Sequence, residues 1–477
     1  MLSAIIKNNV LVKMILNAGW LSIGRMMTDV ASLVLYVTLA RSFGASGAGQ
    51  YAYGFAIAGM TAYIISWGLD DYLIRECSHL SKVKIKLLLR RVLGLQTILL
   101  VVISSLLFII IYSTGASEAS IILLVILFVY HVSHLLARTM FAPSFAHQKM
   151  AWPAFVEFLC SALPILASIL MMTFTDTSMV KSLLPIALGM IFFPIAAYVS
   201  MKNYYGVIIP SLSIRSAYNL AVDTWHFSVS AIIFYFSARI GIVALSLILG
   251  DVSAGLYATA MKIIEVGSRA LNFLSVAGYP ALSKNYNVND ENFKAAATRL
   301  LAVSLYLGAL FTWGLFFIAS PLMVPVFGEE LRGASSLLQG LSVLGILIAL
   351  DMFSLRILFS MHLQRKRLRV HFVGMIIMGI LSIVLIYPMG IFGCVAAAVI
   401  SYSLMIAMYF RIFNNRAITL ALLRYFLLFL VKYAVIIMIA MGIYLYYDAL
   451  VISAIASISL LLFMLFLEFD VKKLIYR

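Results

Sequence analysis

Charged side chains are scarce in this sequence. They account for 11% of the 477 residues, whereas 64% of the residues are hydrophobic and the mean hydropathy is +1.08. A soluble domain carries about 25% charged residues. This scarcity excludes an ordinary soluble domain and indicates a protein that crosses a membrane many times.

Cysteine is also rare. The three cysteines, Cys77, Cys160 and Cys394, lie within or at the edges of apolar runs, and their spacing matches neither a metal site nor a disulfide framework. No nucleotide-binding motif and no nucleophile–base spacing occurs. The longest predicted outside loop, at about 320–333, is too short for the catalytic domain of a membrane enzyme. We therefore predict a transporter without a cofactor or metal, rather than an enzyme.

The alternating pattern of β-barrel strands is missing as well, which leaves helices as the structure that satisfies the backbone in lipid. Apolar runs of about 20 residues each read as spanning helices. The first run carries Arg25 and Asp29 and is too long for a signal peptide, so we expect it to be the first span. The fold class predicted is an all-α membrane protein with about fourteen spans. These are 14–40, 48–74, 87–112, 119–142, 150–173, 182–201, 217–249, 253–281, 296–319, 334–361, 371–388, 392–412, 425–447 and 450–468.

The net charge of +16 could suggest a nucleic-acid partner, but its placement argues against one. Most lysines and arginines lie in every second loop, while only Arg41, Lys181 and Arg332 lie in the others. The positive-inside rule explains this split without a nucleic acid. It places both termini in the cytoplasm and supports an even number of spans.

A ten-residue stretch, Phe43–Ala52, returns as Leu249–Ala258 with identical Gly, Ala, Gly, Tyr and Ala positions. Six predicted spans separate the copies, so both point the same way and define a parallel repeat. A second pair of similar stretches, Arg138–Phe141 and Arg356–Phe359, supports the duplication. The organisation predicted is two six-helix bundles followed by an extra helix pair and cytoplasmic tail. Their bounds are 1–212, 213–415 and 416–477.

Charges at membrane depth are costly and normally face a cavity or a partner. The deep cations Arg25, Arg239, Lys262 and Arg269 outnumber the deep acids and suit an anion such as a phosphate or pyrophosphate. The alternatives are a local ion pair between Arg25 and Asp29, and contacts that join helices for the others. The spacing of Lys262, Glu265 and Arg269 puts all three on one helix face.

Acidic residues at depth could couple transport to an ion. The candidates are Asp29, Glu265 and Asp351. Secondary candidates for ligand contacts are Asp70, Glu157, Arg356 and Lys432. A solvated interface explains Asp70 equally well, and Arg356 and Lys432 lie close enough to span ends to snorkel.

The stretches Leu39–Tyr51 and Trp67–Glu76, the second repeat copy, and Pro321–Leu338 together resemble polysaccharide-export flippases of the multidrug/oligosaccharidyl-lipid/polysaccharide (MOP) superfamily. The resemblance implies a V-shaped pair of bundles around a cationic cavity. It also implies alternating-access transfer of an undecaprenyl-pyrophosphate-linked glycan, such as an O-antigen unit, across a bacterial inner membrane. In the related lipid II flippases an extra C-terminal pair forms a groove for the lipid tail, a role that would fall here to 425–468.

The same sequence features fit several alternative substrates and functions. The substrate could be another lipid-linked glycan, such as lipid II, teichuronic acid or an exopolysaccharide unit. A MATE-type antiporter and a membrane O-antigen polymerase or ligase are the remaining alternatives. The expected partners are membrane lipid, H⁺ or Na⁺, and a complex with a polysaccharide polymerase and a chain-length regulator.

Overall fold

A computed structural model describes residues 10–113, 115, 117–285, 290–413, 416–447, 458–462 and 464. Throughout these residues the regular structure is helical. Most of the predicted last span, 450–468, lies outside the described residues. The helices are α1 (Val10–Ser66), α2 (Leu69–Cys77), α3 (Lys82–Ser113), α4 (Glu118–Ala146), α5 (Ala151–Phe174), α6 (Met179–Tyr205), α7 (Ile214–Leu249), α8 (Asp251–Asn285), α9 (Asp290–Phe327), α10 (Ala334–Leu341), α11 (Leu344–Ser360), α12 (Gln364–Met389), α13 (Ile391–Ile412) and α14 (Arg416–Tyr447).

The prediction of an all-α, multi-pass membrane protein is confirmed. Within the described ranges, ten helical segments are long and apolar enough to cross a membrane, or up to eleven when α10 and α11 count as one span bent by 41°. The segment Met26–Cys77 is one of these ten, although the sequence predicts two spans over it. The predicted total of fourteen spans stays a prediction.

The repeat stretch forms a joint between helices in both copies. At Gly44 the backbone of α1 leaves helical values, with φ 66° and ψ −167°, in a region that is almost restricted to glycine. At Gly250, between α7 and α8, φ is 84°. The first glycine of each copy therefore adopts a positive φ where one long helix ends and the next begins.

The chain divides into two compact units, Met1–Ser246 and Leu247–Arg477. In the first unit a core of buried side chains joins α2, α3, α4 and α6, with Leu69, Phe141 and Phe193 among its members. In the second unit Phe293, Phe353 and others join α9, α11, α13 and α14. These units describe packing, whereas the bounds 212/213 and 415/416 describe an internal repeat and stay a prediction.

Large apolar side chains cover the outside of several helices. On α3, Phe108, Ile109 and Ile110 are each about 60% exposed. A soluble monomer does not normally present such a continuous apolar surface. Contact with lipid accounts for it, in agreement with the low charge content of the sequence.

Gly250→Ala is expected to destabilise the protein, because an L-residue with positive φ is strained by about 1–2 kcal/mol. The matched control is Gly314→Ala, within α9. Neither glycine has an atom within 4 Å of an added Cβ, so the two sites differ in backbone conformation and not in space. Gly314→Ala should stabilise by about 0.5–1 kcal/mol through helix propensity. Thermal unfolding in detergent measures both, and an equal effect of the two changes would contradict a strained joint.

Candidate functional site: charged clusters within each unit

The first unit contains a buried ion pair between α2 and α4. Nη2 of Arg138 lies 3.2 Å from Oδ2 of Asp70, and the Asp70 side chain is 14% exposed. One turn earlier on α4, Nε2 of His134 lies 3.1 Å from Oε1 of Glu157 on α5. The predicted candidates Asp70 and Glu157 thus each hold a basic partner from α4.

An aromatic cluster in the same unit surrounds Arg239 of α7. Its guanidinium carbon lies 5.6 Å from the ring centroid of Phe55 and 5.9 Å from that of Tyr235. Tyr235 stacks on Tyr63 with centroids 4.4 Å apart, and His131 meets Phe55 edge-on at 4.3 Å. A cation on aromatic faces gains about 0.5–2 kcal/mol. Aromatic rings therefore form part of the environment of this predicted substrate residue.

The second unit holds a cluster around Asp351 of α11. Its carboxylate accepts a hydrogen bond of 3.0 Å from the Tyr409 hydroxyl of α13. Two basic groups of α12 face the same carboxylate, with Nη2 of Arg367 at 3.6 Å and Nε2 of His371 at 3.3 Å. The helices α11, α12 and α13 therefore meet at the carboxylate of Asp351.

Arg356, further along α11, points to α8. Its guanidinium donates to Oδ1 of Asn272 at 2.9 Å and to the hydroxyl of Ser275 at 3.4 Å. Arg138 and Arg356 begin the two similar stretches found in the sequence. In the first unit Arg138 binds α2, which lies beyond the end of the helix that follows Gly44, whereas in the second unit Arg356 binds α8, which directly follows Gly250.

The remaining predicted residues are more dispersed. Lys262 and Glu265 are half-buried and Arg269 is exposed, on the continuous helix α8. Asp29 of α1 is half-buried, Lys432 of α14 is exposed, and the side chain of Arg25 lies outside the described residues. Asp29, Lys262, Glu265, Arg269 and Lys432 all have interaction partners. The structure leaves their predicted roles as predictions.

An apolar groove of about 730 Å³ opens in the second unit between α11, α13 and α14. This volume is in the range of ligand-binding cavities. Among the described residues that line it, the polar ones are Ser403, Arg411 and Thr419. The other lining residues are Leu347, Leu350, Ile406, Ala407, Phe410, Phe413, Leu420, Leu423 and Phe426.

The basic partners of these clusters are not among the functional residues predicted from the sequence. Arg138 and Arg367 lie within the helices α4 and α12. His134 with Arg138, and Arg367 with His371, are each four residues apart, which places both members on one helix face. This spacing is the feature of the sequence that indicates these two pairs of basic residues. The acidic partners come from other helices and leave no local signal.

Comparison with known proteins identifies the family. The family model described as polysaccharide biosynthesis protein matches residues 14–286, which is more than half of the chain. The chain belongs to the polysaccharide biosynthesis protein family. Among curated proteins, none matches it.

The fold is shared with transporters. A lipid II flippase, MurJ, in an inward closed conformation superposes with a TM-score of 0.72 at 15% identity, over 94% of this chain and 98% of that one. An inward-facing MATE family transporter of the MOP superfamily gives 0.62 at 15% identity, over 86% and 99%. A MOP superfamily transporter from Pyrococcus furiosus, whose binding pocket has reversed polarity, gives 0.54 at 13% identity, over 86% and 96%. These comparisons confirm the predicted resemblance in fold to transporters of the MOP superfamily.

Removal of one partner of the Asp70–Arg138 pair is expected to destabilise this polysaccharide biosynthesis protein more than removal of both. Asp70→Asn or Arg138→Gln leaves a buried charge uncompensated, at a cost of about 3–5 kcal/mol. The double variant Asp70→Asn/Arg138→Gln should unfold in detergent at a higher temperature than either single variant.

The exposed pair Glu329–Arg332, with side chains 66% and 71% exposed, is the control. Arg332→Gln should change the free energy of unfolding by less than about 0.5 kcal/mol, as for most surface substitutions. Additive effects of Asp70→Asn and Arg138→Gln would contradict a coupled buried pair.

Proposed function

We propose that this protein is a flippase that moves an undecaprenyl-pyrophosphate-linked oligosaccharide, such as an O-antigen or similar surface-glycan unit, from the cytoplasmic to the periplasmic leaflet. Transport proceeds by alternating access between the two repeat halves, 1–212 and 213–415. The observation that carries the proposal is an apolar groove within a chain of the polysaccharide biosynthesis protein family. Membership of this family supports a glycan as one part of the substrate. The apolar groove suits a polyprenyl tail as the other part.

The groove supports a lipid substrate through its chemistry. Its walls are mainly leucine, isoleucine and phenylalanine side chains, which bind a hydrocarbon chain by dispersion and burial of apolar area. The helix α14, from the segment after residue 416, supplies one wall with Leu420, Leu423 and Phe426. In this proposal the extra C-terminal segment serves the lipid tail.

The deep cations support a pyrophosphate headgroup. Arginine binds phosphate through two parallel hydrogen bonds, and lysine acts as a point charge. We assign the headgroup contacts to Arg25, Arg239, Lys262 and Arg269, and the coupling of an ion gradient or membrane potential to Asp29, Glu265 and Asp351. The bacterial inner membrane, with both termini in the cytoplasm, is the proposed location, and a polymerase with its chain-length regulator the proposed partners.

A flippase for a lipid II-like substrate is the second candidate. The fold similarity to MurJ over 94% of this chain favours it, because MurJ is a lipid II flippase. Both candidates need a lipid groove and a pyrophosphate site. Cellular export separates them: loss of a surface polysaccharide with normal cell-wall synthesis supports the first, and loss of cell-wall synthesis supports the second.

Ala407→Trp is expected to reduce glycan export at least tenfold, because the indole would occupy the groove that Ala407 lines. Val431→Trp is the matched control. Val431 belongs to the groove-lining helix α14 but is 65% exposed and absent from the lining. Export is measured as surface glycan in cells that carry the variant as their one copy. Equal export by the two variants would contradict a role for the groove.

Arg239→Ala is expected to abolish export while the protein remains in the membrane. Arg239→Lys keeps the cation but loses bidentate phosphate binding, so partial export is expected. The thermal stability of both variants in detergent tests for a merely structural role on the aromatic rings. Normal export by Arg239→Ala would remove Arg239 from the substrate site.

A further inference from the structure

We propose that the cluster of Asp351, Arg367, His371 and Tyr409 is a proton-binding site, in which His371 takes up and releases the proton. The site selects a proton over a sodium ion. The inference deepens the proposed function, on which its coupling role rests. These four residues form the proton cluster.

The proton cluster is compact and buried. The side chains of Asp351, Arg367 and His371 are 13%, 16% and 9% exposed. Oδ1 of Asp351 faces both the Tyr409 hydroxyl and Nε2 of His371, and Oδ2 faces Arg367. One carboxylate thus accepts a hydrogen bond from a hydroxyl and faces two basic side chains, and these three groups come from two other helices.

We assign the change of charge to the imidazole of His371. The Arg367 guanidinium remains charged, and the Tyr409 hydroxyl is spent as a donor to Asp351. Two cationic side chains and a hydroxyl stabilise the ionised form of the Asp351 carboxylate. Imidazole alone among these groups ordinarily titrates between about pH 5 and 8.

The contacts of His371 are compatible with a protonated imidazole. Among the described residues, Nε2 of His371 and Nε of Arg367 are buried and form no hydrogen bond. The 3.3 Å separation of Nε2 and Oδ1 is longer than that of a charge-assisted hydrogen bond, about 2.7–2.9 Å. Addition of a proton to the imidazole would allow this contact to shorten, and loss of the proton would relax it.

Proton uptake changes the net charge of the proton cluster. With a neutral imidazole, Asp351 and Arg367 balance each other. With an imidazolium, the cluster carries one net positive charge in a buried place, which is costly unless the surroundings rearrange or an anion approaches. This cost links the proton to conformation.

Charged and titratable groups on the helices packed against α12 also act on the proton cluster. Helix α12 packs against α13 and α11. From α11 the facing groups are Asp351 and Arg356; Arg356 donates to Asn272 of α8 and is also near enough to Arg367 to interact with it electrostatically. From α13 the facing group is Tyr409, and Tyr402 lies near enough to interact electrostatically with Asp351 and Arg367.

A sodium ion is disfavoured at this carboxylate. Hard cations need several oxygen ligands with available lone pairs. The oxygens of Asp351 already face Arg367, His371 and Tyr409, which offer donors rather than acceptors. A sodium ion would also be repelled by the adjacent guanidinium, so the chemistry favours a proton.

The proton cluster shares two helices with the groove. Leu350 lines the groove and its neighbour Asp351 belongs to the cluster. Phe410 lines the groove and its neighbour Tyr409 binds Asp351. A movement of α11 or α13 on protonation would therefore displace the walls of the proposed lipid site.

The test is a pH titration of protein labelled with ¹³C at histidine, observed by NMR in detergent. His371→Gln identifies the His371 resonance, and His226→Gln, which changes an exposed histidine, should remove a different one. The His371 resonance is expected to shift with pH, with the same midpoint in 100 mM NaCl and 100 mM KCl. The absence of a titration, or a midpoint moved by sodium, would overturn the proposal.

Two variants should move the midpoint in opposite directions. Asp351→Asn removes the anion and leaves Arg367 uncompensated, so the midpoint should fall by about one pH unit, a tenfold weaker proton affinity. Tyr409→Phe frees Oδ1 for the imidazolium, so the midpoint should rise. Tyr409→Phe is near in shape and keeps the test valid if Asp351→Asn does not fold. An unchanged midpoint in the variants that fold would overturn the site.

Coupling is tested in proteoliposomes with a fluorescent undecaprenyl-pyrophosphate disaccharide as the probe. A pH gradient should accelerate probe movement by wild-type protein and not by His371→Gln. Acceleration that persists in His371→Gln would overturn the coupling role. A wild-type protein that does not move the probe would contradict the proposed function, whereas the NMR titration decides the proton site independently.

Discussion

The cost of an ionised side chain in hydrocarbon governs the arrangement of this protein. Each such charge costs several kcal/mol unless it is paired, hydrogen-bonded or solvated. Asp70 is therefore held by Arg138, Glu157 by His134, and Asp351 by Tyr409, Arg367 and His371. These contacts join different helices and add a directional constraint to their apolar packing.

The sequence predicts features that depend on neighbours along the chain. Apolar helical segments and the paired arginines Arg138 and Arg356 follow from local patterns, and the described helices agree with the all-α prediction. Partner identity does not follow, because Asp351 meets Arg367 and Tyr409 through tertiary packing. Nothing in a single sequence indicates which face of α13 turns toward α11.

The arginines of the two similar stretches have partners of different charge. Arg138 meets the carboxylate of Asp70, whereas Arg356 meets the amide oxygen of Asn272 and the hydroxyl of Ser275. A carboxylate neutralises a guanidinium, and an amide only hydrogen-bonds to it. The same structural position therefore carries a neutralised pair in the first unit and a positive charge with neutral partners in the second.

Because of this difference, charges that can change or that have neutral partners are concentrated in the second unit. Its helix α11 bears Asp351 and Arg356 and also lines the apolar groove through Leu347 and Leu350. A rigid helix transmits a displacement at one contact to every other contact on it. In the proposed mechanism a single proton in the cluster would alter the balance of forces on the helix that a lipid tail would touch, and would couple charge to apolar binding without direct contact between proton and lipid.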